Sequence, residues 1–326
     1  MTKDEMQRES GFIMKGTVLE GYVGGSEYVV VPEGVTVVEE GAFADCELLK
    51  SVVLPRSLVE IGSHAFSDCT ALESVTFTGE LEELGEFAFQ RCQALVSIDL
   101  PDSLTYLGDG TFKACMSLTD VHLPADLCSM GEDVFAMCVS MKEISLPSGL
   151  TKLGQAAFSN CESLEWVMLP EGMDTLPKNA FRYCTALTGA YLPRRMHSIG
   201  KSAFRDCRSL NDVHMPATLT ELGDHAFQGC KALKSIQMPR YLDFISREAF
   251  RKCEKLEQVT LPENLAELRE AAFECCEALV ELALPETVQV IQDTAFRGCE
   301  ALTTLRAEAG TYAAKWAKDQ GYEVVH

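Results

Sequence analysis

Fourteen cysteines and six histidines are the residues of this 326-residue chain best suited to chemistry. Thiolates and imidazoles bind metals, cysteines close disulfides, and either type acts as nucleophile or base. Spacing decides between these uses. Twelve cysteines recur every 23 residues, at Cys46, Cys69, Cys92, Cys115, Cys138, Cys161, Cys184, Cys207, Cys230, Cys253, Cys276 and Cys299, with Cys128 and Cys275 outside the series. Zinc sites use C-x-x-C pairs or Cys/His clusters, and the chain has no C-x-x-C, so no metal site is expected. Coils stacked at strand spacing bring neighbouring cysteine Cα atoms to about 5 Å, inside the disulfide range. Side chains in such a column run parallel rather than face one another, and unpaired Cys is among the most buried residue types. The expectation is a column of reduced, buried thiols, with Cys128 and Cys275 off it and accessible.

Of the histidines, His122 and His214 hold the same repeat position four repeats apart, roughly 19 Å at strand spacing, too far to share a ligand. No serine or cysteine has a base at a defined spacing. Neither G-x-x-x-x-G-K-[ST] nor G-x-G-x-x-G occurs, and Gly21 to Gly25 reads as a turn. No catalytic residue and no cofactor is assigned, and an enzyme is the least supported function.

The elements that hold these residues follow from the same period. Phenylalanine recurs three positions before each cysteine of the series, from Phe43 to Phe296. Three residues past each Cys stands Leu, with Met141 the one exception; six past it is mostly Val or Ile, and nine past it is Pro in ten repeats. The unit reads A-F-x-x-C-x-x-L-x-x-V-x-L-P-x-x-L-x-x-L-G. Its L-x-x-V-x-L segment has the period-2 alternation of a short strand. Proline ends that strand because it lacks the next N–H, glycine suits a tight corner, and A-F-x-x-C reads as one helical turn. No single unit can bury its apolar face, so stacked neighbours must build the core.

Twelve copies of F-x-x-C, in a unit with A-F-x-x-C, L-P and I/L-G, resemble the BspA-like leucine-rich repeats of bacteria. The resemblance implies a repeat solenoid: a right-handed leucine-rich-repeat superhelix with short parallel strands on the concave face and short helical turns or irregular segments on the other sides. It also implies an adhesive or protein-binding role, often secreted or at the cell surface. One structural domain is expected, with a hairpin-like N-terminal cap at 1–28, about twelve repeats over 29–307, and a C-terminal cap of short helix plus strand at 308–326. Thr311 is placed to cap that helix and Gly321 to stop it.

Net charge is −21, so nucleic acid, which is bound by Lys and Arg, is not an expected partner. No apolar run is long enough for a membrane helix. Met1 to Ser10 is polar and lacks the apolar core of an export signal, which points to the cytoplasm, against the surface location that the resemblance implies. The expected partner is a protein. Outward strand positions, four, five and seven past each Cys, are free to specify it, and most are small or polar. The exception is Trp166, Met168 and Tyr191 on adjacent strands, flanked by Glu165, His122 and His214, a composition that suits a binding hot spot. Residues 178–255 hold 14 Lys and Arg against 7 Asp and Glu, which suggests an acidic partner or contact between copies.

Overall fold

The computed structural model describes residues 11–326. The polar stretch Met1–Ser10, assigned above to the N-terminal cap, lies outside the described residues. The chain is a β-solenoid of about 13 turns with parallel strands, and it divides into two compact units, Met1–Leu164 and Glu165–His326.

In the first unit, strands Tyr28–Val30, Ser51–Leu54 and Ser74–Phe77 form one parallel sheet, and Ser97–Asp99 pairs with Asp120–His122. In the second, Trp166–Met168, Gly189–Tyr191 and Asp212–Val213 form a sheet with a register of one repeat per strand. The middle residue of most of these strands, such as Val52, Ile98, Val167 or Ile236, turns inward and is buried, as the alternation requires. The template also places a strand at Glu143–Ser145, but the backbone there is not one; this is the repeat that carries Met141 in place of Leu.

The core of each unit is a column of phenylalanines. From Phe43 to Phe158 in the first unit, and from Phe181 to Phe296 in the second, successive rings lie 4.8–5.8 Å apart with planes 3–14° from parallel. Parallel rings at this separation are offset stacks, which add to the roughly 1.5–3 kcal/mol from burying each side chain. Tyr22 and Phe12 continue the column at the start of the first unit. At the end of the second, Trp316 and Tyr322 do so. Tyr22 comes from the antiparallel hairpin Phe12–Lys15 and Val18–Tyr22. Trp316 comes from the helix Tyr312–Asp319, whose first turn is capped by Thr311 Oγ1 accepting from Ala314 N–H, and which is followed by Gly321 in the left-handed region.

The third side of each coil departs from expectation. A-F-x-x-C is a run of reverse turns rather than a helical turn, because in every coil but the last, two residues lie in the left-handed region: the one two before Phe, as at His64 and Asp133, and the one before Cys, as at Asp68 and Asn160. This leaves alternate N–H groups free to cross to the next coil. The N–H groups of Phe43, Phe66 and Phe89 donate to the carbonyls of Ala65, Ala88 and Thr111 at 2.7, 2.8 and 2.9 Å. Elsewhere the donation runs backwards, as from Gly85 N–H to Ile61 at 2.8 Å.

The glycine of L-G has a different reason from the one expected. Gly85 and Gly223 have no left-handed backbone; a Cβ at either would stand 2.4 Å from a backbone nitrogen of the preceding coil, Ser63 or Lys201. Glycine there permits close approach between coils rather than a sharp corner.

The thiols complete the stacking. Cys69, Cys92, Cys115, Cys138 and Cys161 each donate Sγ–H to the carbonyl of the preceding coil's phenylalanine at 3.0–3.2 Å, and Cys207 to Cys299 do the same at 3.0–3.3 Å. Cys46, first in the column, has no such phenylalanine before it and is half-buried. Among the described residues no cysteine is disulfide-bonded. Burial pushes the Cys161 thiol up to about 12 and those of Cys115, Cys138 and Cys230 well above their usual value, so the reactive thiolate is scarce. Of the two cysteines off the column, Cys128 is exposed and Cys275 half-buried.

Titration of the native protein with a disulfide reagent at pH 8 should therefore show one fast thiol, Cys128, two slow ones, Cys46 and Cys275, and eleven that react only after denaturation. A native count near fourteen would show that the thiol column is not closed.

Candidate functional site

In the second unit, the outward positions of Trp166–Met168, Gly189–Tyr191 and the strand at Asp212 form two rows in register. Trp166, Gly189 and Asp212 make one, and Met168 and Tyr191 lead to His214 in the other. Trp166 is 42% exposed and Met168 63%.

Gly189 shapes the first row. A Cβ on it would stand 1.8 Å from Trp166 Cζ3 and 2.4 Å from Cε3. The indole thus lies over the neighbouring strand, with its benzo edge at Gly189, in space that any larger residue would fill. Gly189 and Asp212 were not among the residues singled out from the sequence. The signal was available, because Gly189 is the one glycine in a column otherwise filled by Ser, Thr, Asp, Glu and Gln, apart from Trp166 itself.

Tyr191 is held by its hydroxyl, which donates to Glu171 Oε1 at 2.5 Å. That hydrogen bond, with the Arg194 backbone N–H at 3.4 Å from Oε2 and the charges of Arg194 and Arg195, holds the Glu171 carboxyl below its usual range; the same bond raises the Tyr191 hydroxyl. Glu165 is exposed, and its backbone carbonyl accepts from Thr188 N–H and Oγ1 at 2.8 and 2.9 Å, which ties the first two strands together. The His214 side chain is 95% exposed, with Nδ1 3.5 Å from Asp212 Oδ1. His122 belongs to the first unit, where Nδ1 lies 2.8 Å from Asp99 Oδ1 on the adjacent strand. The structure thus brings Glu165, Trp166, Met168, Tyr191 and His214 onto one sheet, while His122 stands on another.

Charge is sorted by face. The outward positions of these three strands, four, five and seven past Cys, hold two carboxylates, Glu165 and Asp212, and no Lys or Arg. Cations of the 178–255 segment are engaged elsewhere. Arg251 pairs with Glu248 at 2.9 Å and Glu274 at 2.7 Å, Arg247 with Glu270 at 3.3 Å, and Lys231 with Glu254 at 2.6 Å. Burial pushes the Glu248 carboxyl up, but the hydrogen bond from Arg251 and the charges of His225, Arg251 and Arg247 outweigh it and hold it below its usual range. Part of the segment's positive charge is therefore spent on internal carboxylates.

Among the described residues no group of three or more His, Cys, Asp and Glu is arranged to hold a metal ion, and no helix is long and apolar enough to cross a membrane.

The family model for the BspA-type leucine-rich repeat region matches residues 24–138, 107–234 and 222–313. The chain belongs to the BspA-type leucine-rich repeat family. Among solved structures, a leucine-rich repeat protein from Bacteroides ovatus is similar over 95% of this chain and 94% of that one, with 24% identity and a TM-score of 0.57. A leucine rich cell surface protein from Faecalibacterium prausnitzii matches over 94% of both chains, with 24% identity and a TM-score of 0.51. The pneumococcal vaccine antigen PcpA matches over 89% of this chain and 74% of its own, with 22% identity and a TM-score of 0.54. At these identities the likeness is one of fold. Comparison with curated proteins gives no match.

Within this repeat family member, Gly189→Ala should expel the indole from its place over the strand. In a Trp316→Phe background, which leaves one tryptophan of two, Trp166 emission should shift to longer wavelength and acrylamide quenching should rise. Stability should change by less than about 1 kcal/mol, since only the far end of a surface side chain has to move. An unchanged spectrum would show that the indole does not rest on Gly189.

Proposed function

We propose that this chain is a non-catalytic scaffold that binds a protein partner through its strand face, with Trp166, Met168 and Tyr191 at the centre of the contact. One observation carries the reading: two large apolar side chains, 42% and 63% exposed, stand together on a face whose other outward residues are mostly small or polar. A Trp or Tyr that is already held in place loses little conformational entropy on binding, which suits it to anchor an interface. Here Gly189 seats the indole, and Glu171 holds the Tyr191 hydroxyl. Membership of a repeat family accords with a scaffold, because outward positions vary without disturbing the stacked interior.

A surface location is the second part of the reading. It is supported by the structural likeness to the Faecalibacterium prausnitzii protein, described as a leucine rich cell surface protein, and it stands against the cytoplasmic expectation drawn from the polar N-terminus.

The test is affinity capture from source-organism extracts with the wild-type chain and a Trp166→Ala/Tyr191→Ala variant, with identification by mass spectrometry. A protein held by the wild type and lost by a normally folded variant supports the strand face; the same set held by both contradicts it. Trypsin treatment of intact source cells supplies the second arm. A chain at the surface is cut, and one inside the cell is spared.

A further inference from the structure

We infer that the strand-face site recognises a positively charged side chain of its partner, arginine above all, stacked on the outer face of Trp166 and paired with Asp212. The inference rests on the reading above and deepens it by naming the chemistry of the contact.

The chain carries its own example of this arrangement. Arg269 lies with Cζ 3.5 Å from the centre of the Phe244 ring, and its Nε is 3.0 Å from Glu267 Oε2. Phe244 and Glu267 are register partners on adjacent coils. A ring from one coil and a carboxylate from the next thus form a seat for a guanidinium, which the chain fills itself. Arginine also lies over tyrosine at Arg240–Tyr241, 4.6 Å from the ring centre.

At Trp166 two of the three parts are present. The indole lies over Gly189, with Cζ3, Cε3 and Cη2 nearest that glycine, and Trp166 is 42% exposed. Asp212, the register partner of Gly189, supplies the carboxylate one strand further along, about 4.8 Å on. Its side chain is 52% exposed, and its partner in the chain is His214 Nδ1 at 3.5 Å. Glu165, exposed, adds a second negative charge one residue before Trp166. No Lys or Arg occupies an outward position of these three strands, and the rim cation Arg194 interacts with the Tyr191 hydroxyl, while its backbone N–H donates to Glu171 Oε2 at 3.4 Å. The face therefore presents an aromatic surface and carboxylates without the cation that would complete them. Tryptophan is the strongest of the aromatic side chains for a cation, and the planar guanidinium both stacks and pairs with a carboxylate, which favours arginine over lysine. An acidic partner segment would meet like charge and find no stacking group.

The probe is a capped tetra-arginine peptide, titrated into the full chain by calorimetry and by Trp166 fluorescence in the Trp316→Phe background. Tetra-lysine and the isosteric, uncharged tetra-citrulline serve as comparisons. Tetra-arginine should bind and perturb Trp166, tetra-lysine more weakly, and tetra-citrulline not at all. Trp166→Ala and Asp212→Asn should each weaken binding about fivefold or more. Asp319→Asn, which removes one exposed charge far along the chain at the end of the terminal helix, should leave it unchanged. Equal affinity for tetra-citrulline, no loss in Trp166→Ala, or an equal loss in Asp319→Asn would overturn the inference, the last by tracing binding to the net charge of −21. A captured protein that depends on Trp166 and Tyr191 but is not displaced by tetra-arginine would leave the strand face standing and remove the cation from it.

Discussion

A phenylalanine at the centre of one 23-residue coil has two ring faces to cover, and its own coil cannot cover both. The neighbours supply the cover, so each ring is both shielded and shielding. Every other feature of the interior serves that stack. Thiols close the carbonyls that the turns leave open, glycine lets backbones approach within van der Waals distance, and left-handed residues aim N–H groups across the gap between coils. Because the column has to stop, each unit meets its terminus with different aromatics: Tyr22 from a hairpin at one end, Trp316 and Tyr322 around a helix at the other. These elements do not repeat because they have a neighbour on one side only.

That interior leaves the strand face almost without structural duties. Residues five past Cys are mostly exposed, beside their register partners on the neighbouring strands. Trp166 is tolerated there because Gly189 gives way beneath it, which is a local accommodation between two coils rather than a change in the stack. Function can accordingly be written on this face in single rows, and charge can be sorted by side. The 178–255 segment is basic in sequence, but part of that charge is paired with carboxylates away from the strand face, while the sheet around Trp166 keeps Glu165 and Asp212.

The solenoid was legible in the sequence because its causes are local and periodic: Phe, Cys, Leu and Pro return at one spacing, and a period repeated twelve times leaves few alternatives. Thr311 and Gly321 likewise announced a helix and its stop by their own conformational preferences. The turn side is not legible in the same way, since Ala, Phe and Cys carry no mark of left-handed neighbours, and the residues that adopt that backbone include Asp, His, Ala and Met as well as Gly. The glycine of L-G was correctly found and wrongly explained, because its reason is a contact between coils 23 residues apart. For the site, Trp166, Met168 and Tyr191 stood out by composition alone. Gly189 and Asp212 did not, because their part depends on where the indole lies, and only geometry shows that. His122 was grouped with them by repeat position, yet its contacts are with Asp99 in another sheet.

Interior stacking holds each unit together, and the outward residues of the strand face add little to it. Urea unfolding tests this most directly, comparing a Phe204→Ala variant with one in which Trp166→Ser, Met168→Thr, Tyr191→Thr and His214→Thr are combined. The expected loss is about 3–5 kcal/mol for the single interior change and less than about 1 kcal/mol for the four outward ones together. Four outward changes that cost as much as the one phenylalanine would contradict it, and would place the aromatic patch among the residues that hold the fold.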